Sequence, residues 1–318
     1  MTHPMPPLRC VLLSATFDLR ALCPAALDAV SDVIAFVDDP TESPETVQLA
    51  LAWQPADDAL TRYPNLAALC SVGAGVDSLV TCPSLRPDLP VVRVVDPDQA
   101  RAMSGFVLWH VIGHQRRFRT YAANQRARRW RYLAPPEPAA VPVGLLGYGK
   151  IGQRVATDLM ALGFPVSAWS RTPREDGPGG VTHHHGPDGL RAMLAGTEVL
   201  INLLPLTRET RGLIDAAFLR QLPRGAYLVQ VGRGEHLVEA DLLGALDSGH
   251  LSGAALDVFA TEPLPETHAF WEHPAVFVTP HEACHASERA IARTLRATAE
   301  AVRSGRRPPD TVDTARGY

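Results

Sequence analysis

Cysteine is scarce: five residues in a chain of 318, at Cys10, Cys23, Cys70, Cys82 and Cys284, with no C-x-x-C pair. That scatter excludes a zinc knuckle and a disulfide-framed miniature domain, and a reducing cytoplasm is the simpler setting. Long apolar runs are missing too. The first, Cys10 to Leu13, is broken by Ser14 and Asp18, and none later approaches the roughly 20 residues that span a bilayer, so no membrane partner is expected. Nor is there a surplus of positive charge, since the formal net charge is -4. The arginines between Arg116 and Arg131 are interleaved with aromatic and small residues along one segment. They read as a solvated or inter-subunit helix face, and no nucleic-acid partner is expected.

What remains is a chain with 46% hydrophobic residues and about twice the usual domain length, which implies a globular protein of two domains. Apolar runs at Arg9 to Ser14, Val33 to Val37, Leu49 to Trp53, Ala67 to Val72 and Val91 to Val95 predict five strands. Helical spacing at Pro24 to Val30 and Asp57 to Tyr63 alternates with them, the pattern of a small parallel α/β unit. Gln99 to Gln125 predicts one long helix, and Ala134 to Ala140, with three prolines, an exposed connector.

The second half has clearer punctuation. Val143 to Leu146 runs into Gly147, Gly149 and Gly152, the G-x-G-x-x-G spacing of a dinucleotide-binding turn. The first glycine allows the tight turn, the second lets backbone approach a pyrophosphate, and the third lets the helix pack against the strand. Ile151, Val155, Leu159 and Leu162 mark the apolar face of that helix, which Gly163 ends. Six more strands follow, at Val166 to Trp169, near Val181, Val199 to Leu204, Ala226 to Val231, Ala254 to Leu256 and Val276 to Val278. With intervening helices they imply a doubly wound parallel sheet, and a last helix spans about Ala286 to Val302.

Ligands of such sheets sit beyond the carboxyl ends of the strands. The strand after the glycine helix ends in Ser170-Arg171-Thr172, with Arg174 beyond and no acid until Glu175. An acid there would bond a ribose hydroxyl; a hydroxyl beside an arginine fork suits a 2'-phosphate instead, so NADP(H) is the expected cofactor and NAD(H) the alternative. Three other strand ends carry ionisable residues: Arg233 between Gly232 and Gly234, Glu262 in a proline-stiffened loop after Asp257-Val258-Phe259, and His281 after Thr279-Pro280. Val72-Gly73-Ala74-Gly75-Val76-Asp77 in the first half reads as a close backbone approach to a small ligand.

Taken together these motifs resemble the D-isomer-specific 2-hydroxyacid dehydrogenase family, and within it the glyoxylate/hydroxypyruvate reductase branch. The likeness rests on the three glycines, Leu204-Pro205-Leu206-Thr207-x-x-Thr210-x-Gly212-Leu213-Ile214, Gly225-Ala226-Tyr227-Leu228 to Gly232-Arg233-Gly234, Asp257-Val258-Phe259-x-x-Glu262-Pro263-Leu264-Pro265, Thr279-Pro280-His281 and the ending Val312-Asp313-x-x-Arg316-Gly317-Tyr318. It implies an α/β fold of two Rossmann-like domains, a doubly wound cofactor domain (101–286) inserted in a smaller flavodoxin-like substrate domain (1–100 and 287–318). It further implies a homodimer paired through the cofactor domains, and places Arg233, Glu262 and His281 on the family's catalytic arginine, acid and histidine. Expected cofactor contacts are Gly147, Gly149, Lys150, Ile151, Gly152, Ser170, Arg171, Thr172, Leu204, Pro205, Val231, Gly232 and Asp257.

The chemistry agrees with that placement. Reducing a 2-keto acid requires a hydride, a proton donor and a cation for the carboxylate; His281 suits the second role and Arg233 the third. Glu262, bonded to the other imidazole nitrogen, would fix the ring's tautomer and favour its protonated form. Ala74 and Gly75 N–H groups are candidate carboxylate donors, and Trp53 an apolar wall or a core residue. The alternatives are a dehydrogenase of larger or phosphorylated D-2-hydroxy acids and a non-catalytic dinucleotide sensor. Two departures stand out: Gln230 replaces the family's usual asparagine, and His281 is followed by polar Glu282-Ala283-Cys284-His285. His183-His184-His185 resembles a metal tract but has no acidic or cysteine partner in sequence, so no metal is expected.

Overall fold

The computed structural model describes residues 6–37, 43–173 and 179–317, so Arg174 and Glu175 lie outside the described residues, as does Tyr318. The chain divides into two compact units, one of residues 1–98 with 285–318, the other of 99–284.

The first unit is built on a five-stranded sheet of β1 (Leu8–Ser14), β2 (Ile34–Val37), β3 (Val47–Trp53), β4 (Ala68–Ser71) and β5 (Val91–Val92), all parallel, in the order β2-β1-β3-β4-β5. Strand alternation sorts its side chains between two layers. Leu8, Cys10 and Leu12 of β1 face a layer completed by Leu27, Ile291 and Leu295, while Val11 and Leu13 face Leu60, Tyr63 and Leu79. Each fully buried aliphatic side chain contributes about 1.5–3 kcal/mol, so two covered faces explain why these strands read as continuous apolar runs. The terminal helix, Glu288–Arg303, packs in the first layer through Ala290, Ile291, Leu295 and Ala299. Ser287 caps it, accepting from Ala290 N–H at 3.2 Å. Asp57 to Tyr63 is not a helix. It forms turns closed by bonds such as Thr61 N–H to Asp58 O and Tyr63 N–H to Leu60 O, because Pro64 disfavours helical backbone at the preceding residue.

The second unit carries seven parallel strands: β6 (Val143–Leu146), β7 (Val166–Ser170), β8 (Thr182–His185), β9 (Val199–Asn202), β10 (Ala226–Gln230), β11 (Leu251–Leu256) and β12 (Val276–Val278), ordered β12-β11-β10-β9-β6-β7-β8. The order reverses between β6 and β9, which makes their carboxyl ends the switch-point crevice. Val143 and Leu145 of β6 face one layer and Leu146 the other. Gly144 is obligatory, since a Cβ there would lie 2.5 Å from Thr197 Oγ1.

The long helix expected over 99–125 is two helices, Pro97–Gln115 and Phe118–Arg126, separated by Arg117 in the left-handed region at φ 59. The break serves an anchor: Arg119 donates to Ala275 O at 2.9 Å and to Ser252 O, tying the second helix to residues beside β12 and in β11. A tertiary contact overrides local helical preference here. Leu162, expected on the apolar face of the glycine-turn helix (Lys150–Ala161), is exposed, while Val155 and Leu159 are buried. It lies beyond the last helical residue, where Gly163 N–H bonds Met160 O and Phe164 N–H bonds Leu159 O, a glycine C-cap that turns the chain away.

Candidate active site

Gly147, Gly149 and Gly152 each do what the spacing demands. Gly147 has φ +95, and a Cβ on it would lie 2.9 Å from Leu203 O, so the turn after β6 packs against the chain leaving β9. A Cβ at Gly152 would lie 2.5 Å from Gly147 O. At Gly149 a Cβ would meet nothing within 4 Å, and no side chain caps the helix that begins at Lys150. Space over Gly149 and the start of a 12-residue helix without a side-chain cap fit a pyrophosphate, which the first N–H groups of a helix can bind. Lys150 is exposed and Ile151 half-buried at this turn.

At the end of β7, Ser170 donates its hydroxyl to Thr172 O at 2.7 Å, which folds the turn and leaves Arg171 and Thr172 exposed. Leu204 is buried with its N–H bonded to Asn202 Oδ1 at 3.1 Å, and Pro205 O accepts from Thr210 Oγ1 at 2.9 Å. Val231 and Gly232 are buried after β10.

Arg233, Glu262 and His281, distant in sequence, come together. A Cβ on Gly234 would collide with the Phe259 carbonyl, so only glycine lets the Arg233 turn press against the loop that bears Glu262. In that loop Glu262 Oε1 accepts from Phe259 N–H at 3.0 Å, and Glu262 Oε2 lies 2.8 Å from His281 Nδ1. Partial burial pulls the Glu262 carboxyl upward, but the bonds to His281 and Phe259 and the charges of His281 and Arg233 outweigh it and hold the group below the usual carboxylate range. About a third of each side chain of the pair is exposed.

His281 itself sits at φ 58, a rare backbone state for a non-glycine residue. Asp257 enforces it. Its carbonyl accepts His281 N–H at 2.8 Å, and its buried carboxylate accepts from Thr279 Oγ1 at 2.6 Å, Glu282 N–H at 2.8 Å and Ala283 N–H at 3.1 Å. Asp257, expected at the cofactor, is thus seen binding the 279–283 turn. Cys284 beside it is pushed up to about 11 by burial, which keeps it a thiol rather than a nucleophile.

In the first unit the Ser71 hydroxyl shapes the Gly73 to Gly75 turn, donating to Gly75 O at 2.8 Å and accepting from Gly73 N–H at 3.2 Å. Trp53 is half-buried and packs on the Leu49 and Leu51 layer, 3.9 Å from where a Gly73 Cβ would stand. His183 to His185 form β8, with the His183 ring edge-on to Tyr148 at 4.8 Å. Among the described residues no group of three or more His, Cys, Asp or Glu is arranged to hold a metal, and no helix is long and apolar enough to cross a membrane.

The family model described as D-isomer specific 2-hydroxyacid dehydrogenase, NAD binding domain, matches residues 108–283. The chain belongs to this family. A protein of Yersinia enterocolitica named glyoxylate/hydroxypyruvate reductase A is 38% identical over 274 residues, 85% of this chain and 87% of that one. The structure of a family member from Xanthobacter autotrophicus Py2 in complex with NADPH and MES matches with TM-score 0.90 and 39% identity, covering 98% of this chain and 100% of that one. An NADPH-dependent glyoxylate/hydroxypyruvate reductase of Sinorhizobium meliloti, in complex with NADP and sulfate, matches with TM-score 0.89 and 37% identity over 98% and 99% of the two chains. The two-sheet α/β fold is that of these dehydrogenases.

Sequence reasoning missed Asn202 and His236, both buried around the Arg233 turn. A signal existed for the first, since Asn202 is an amide at the end of an apolar strand.

Proposed function

We propose that the protein is an NADPH-preferring reductase of small 2-keto acids of the glyoxylate or hydroxypyruvate type. The observation that carries it is the convergence of Arg233, Glu262 and His281 at the carboxyl ends of the strands that also bear the glycine turn. The names and ligands of the similar proteins support both the substrate class and the phosphorylated cofactor.

The dinucleotide would be held by Gly147, Gly149, Lys150, Ile151 and Gly152 at the pyrophosphate, by Ser170, Arg171 and Thr172 at the 2'-phosphate, and by Leu204, Pro205, Val231, Gly232 and the turn that Asp257 fixes. When bound it supplies a hydride to the substrate carbonyl carbon. The rest falls to the chain's own residues. Arg233 binds the carboxylate with its guanidinium fork. His281, whose Nδ1–H is held by the Glu262 carboxylate, offers a proton from Nε2 to the carbonyl oxygen. In the first unit Ala74 and Gly75 N–H groups remain the proposed carboxylate donors, and Trp53 a proposed substrate wall. A homodimer paired through the second unit is proposed as well, supported by exposed Trp109 and Phe277, whose rings lie 5.1 Å apart. The buried free thiols at Cys10, Cys23, Cys70 and Cys82 suit the reducing cytoplasm.

A kinetic panel across 2-keto acids of increasing size and charge, with NADPH and NADH, tests the proposal. The expected maximum kcat/KM falls on glyoxylate or hydroxypyruvate with NADPH. A maximum on a larger or phosphorylated acid overturns the substrate class; tight NADPH binding without turnover of any 2-keto acid overturns catalysis in favour of a sensor.

A further inference from the structure

Beneath the Arg233 turn lies a closed polar network of Asn202, Gln230 and His236, each fully buried at 0% exposure. Asn202 ends β9 and Gln230 ends β10, and the two residues are direct neighbours in the parallel register. His236 arrives from the short 3-10 turn Gly234–His236 that follows Arg233.

The backbone fixes the orientation of every member. Leu204 N–H donates to Asn202 Oδ1 at 3.1 Å, so Asn202 Nδ2 must point the other way, and it donates to Gln230 Oε1 at 2.8 Å and to His236 Nδ1 at 3.0 Å. Gly232 N–H donates to Gln230 Oε1 at 3.2 Å, which leaves Gln230 Nε2 to donate to Arg233 O at 3.1 Å. Arg233 N–H donates to His236 Nδ1 at 3.1 Å. With two donors on Nδ1 the ring carries its hydrogen on Nε2, 3.2 Å from Pro205 O. Both polar groups of the Arg233 backbone are therefore tied to buried side chains. The packing leaves no slack, since a Cβ on Gly232 would lie 3.0 Å from both Asn202 Nδ2 and His236 Nδ1.

We propose that Gln230 and His236 are positioning residues for the Arg233 guanidinium, setting substrate affinity through the backbone of the turn. This rests on the reading of Arg233 as the carboxylate clamp. The role bears on Arg233 more than on Leu204 and Pro205 of the cofactor wall: Pro205 O has a second donor in Thr210 Oγ1, Leu204 N–H bonds Asn202, and both donors to Arg233 O, Gln230 Nε2 and His236 N–H at 3.1 Å, come from the proposed positioning residues. It also gives a function to Gln230, which reaches Arg233 O while still accepting from Gly232 N–H. A buried network of this kind is rigid only when complete, and a missing member leaves an unpaired backbone group.

The test is steady-state kinetics with a 2-keto acid, together with NADPH affinity by fluorescence titration, on wild type, Gln230→Met, His236→Leu, His236→Asn and Arg233→Ala. Gln230→Met and His236→Leu are expected to raise KM for the 2-keto acid about tenfold or more, the effect of one lost buried bond, with the NADPH dissociation constant within about threefold of wild type. His236→Asn, which restores an acceptor near the Nδ1 position, is expected to recover most of the loss. An unchanged KM in Gln230→Met and His236→Leu, or an equal loss of NADPH affinity in all three network variants, overturns the inference. Should His236→Leu not fold, Gln230→Met and His236→Asn decide by the same criteria. An Arg233→Ala enzyme with wild-type KM would instead overturn the reading of Arg233 itself.

Discussion

Glu262 Oε2 lies 2.8 Å from His281 Nδ1, and the same carboxylate takes Phe259 N–H on its other oxygen. One oxygen fixes the loop and the other fixes the imidazole, so the proposed proton donor is aimed by a group that is itself immobilised. Glu262→Gln keeps the shape and removes the charge. It is expected to lower kcat by roughly 10²-fold, the lower range for loss of a tuned acid, with NADPH affinity retained; stopped-flow turnover and fluorescence titration measure the two separately.

Much of this arrangement is legible in the sequence because it is punctuated. Glycine spacing, strand ends and proline-stiffened loops place Arg233, Glu262 and His281 on one edge once the β-α rhythm is counted. What the rhythm does not carry is cross-strand chemistry. That Asp257 holds the His281 turn, that Gly234 abuts Phe259, and that Asn202 meets Gln230 and His236 are consequences of register between residues far apart in the chain. The broken helix at Arg117 has the same origin, since its cause is the reach of Arg119 to β11 and the start of β12.

The three glycines of the turn separate by their surroundings. Gly149→Ala adds a methyl into open space, so thermal stability is expected to stay near wild type while NADPH affinity falls at least about tenfold, the cost of one displaced phosphate contact. Gly152→Ala places its Cβ 2.5 Å from Gly147 O and is expected to destabilise the fold by about 1–3 kcal/mol. Urea denaturation and cofactor titration of both variants check the pair; equal stability losses would contradict it.

Cofactor choice is assigned to the turn after β7. Arg171→Ala is expected to raise KM for NADPH by roughly tenfold or more, as for loss of a charge-assisted bond, and to leave KM for NADH nearly unchanged. A variant with undiminished preference for NADPH would remove Ser170 to Thr172 as its determinant.

His110 is buried among Phe106, Trp109 and Phe277, and burial lowers it to about 4 from an ordinary 6.5. The unfolded chain therefore binds a proton that the folded one refuses between those values, and stability falls as pH drops through that window. Between pH 7 and pH 4.5 the loss is about 2 kcal/mol. His110→Phe is expected to flatten that slope, read by urea denaturation at the two pH values; an unchanged slope would contradict it.

The most direct measurement of the central claim is NADPH oxidation by wild type and His281→Ala with glyoxylate and hydroxypyruvate, alongside NADPH binding to both proteins. The expected result is turnover by wild type, a loss of roughly 10²–10⁴-fold in His281→Ala, and equal cofactor affinity. Wild-type protein that binds NADPH yet reduces no 2-keto acid, or a His281→Ala enzyme that turns over at the wild-type rate, would contradict it.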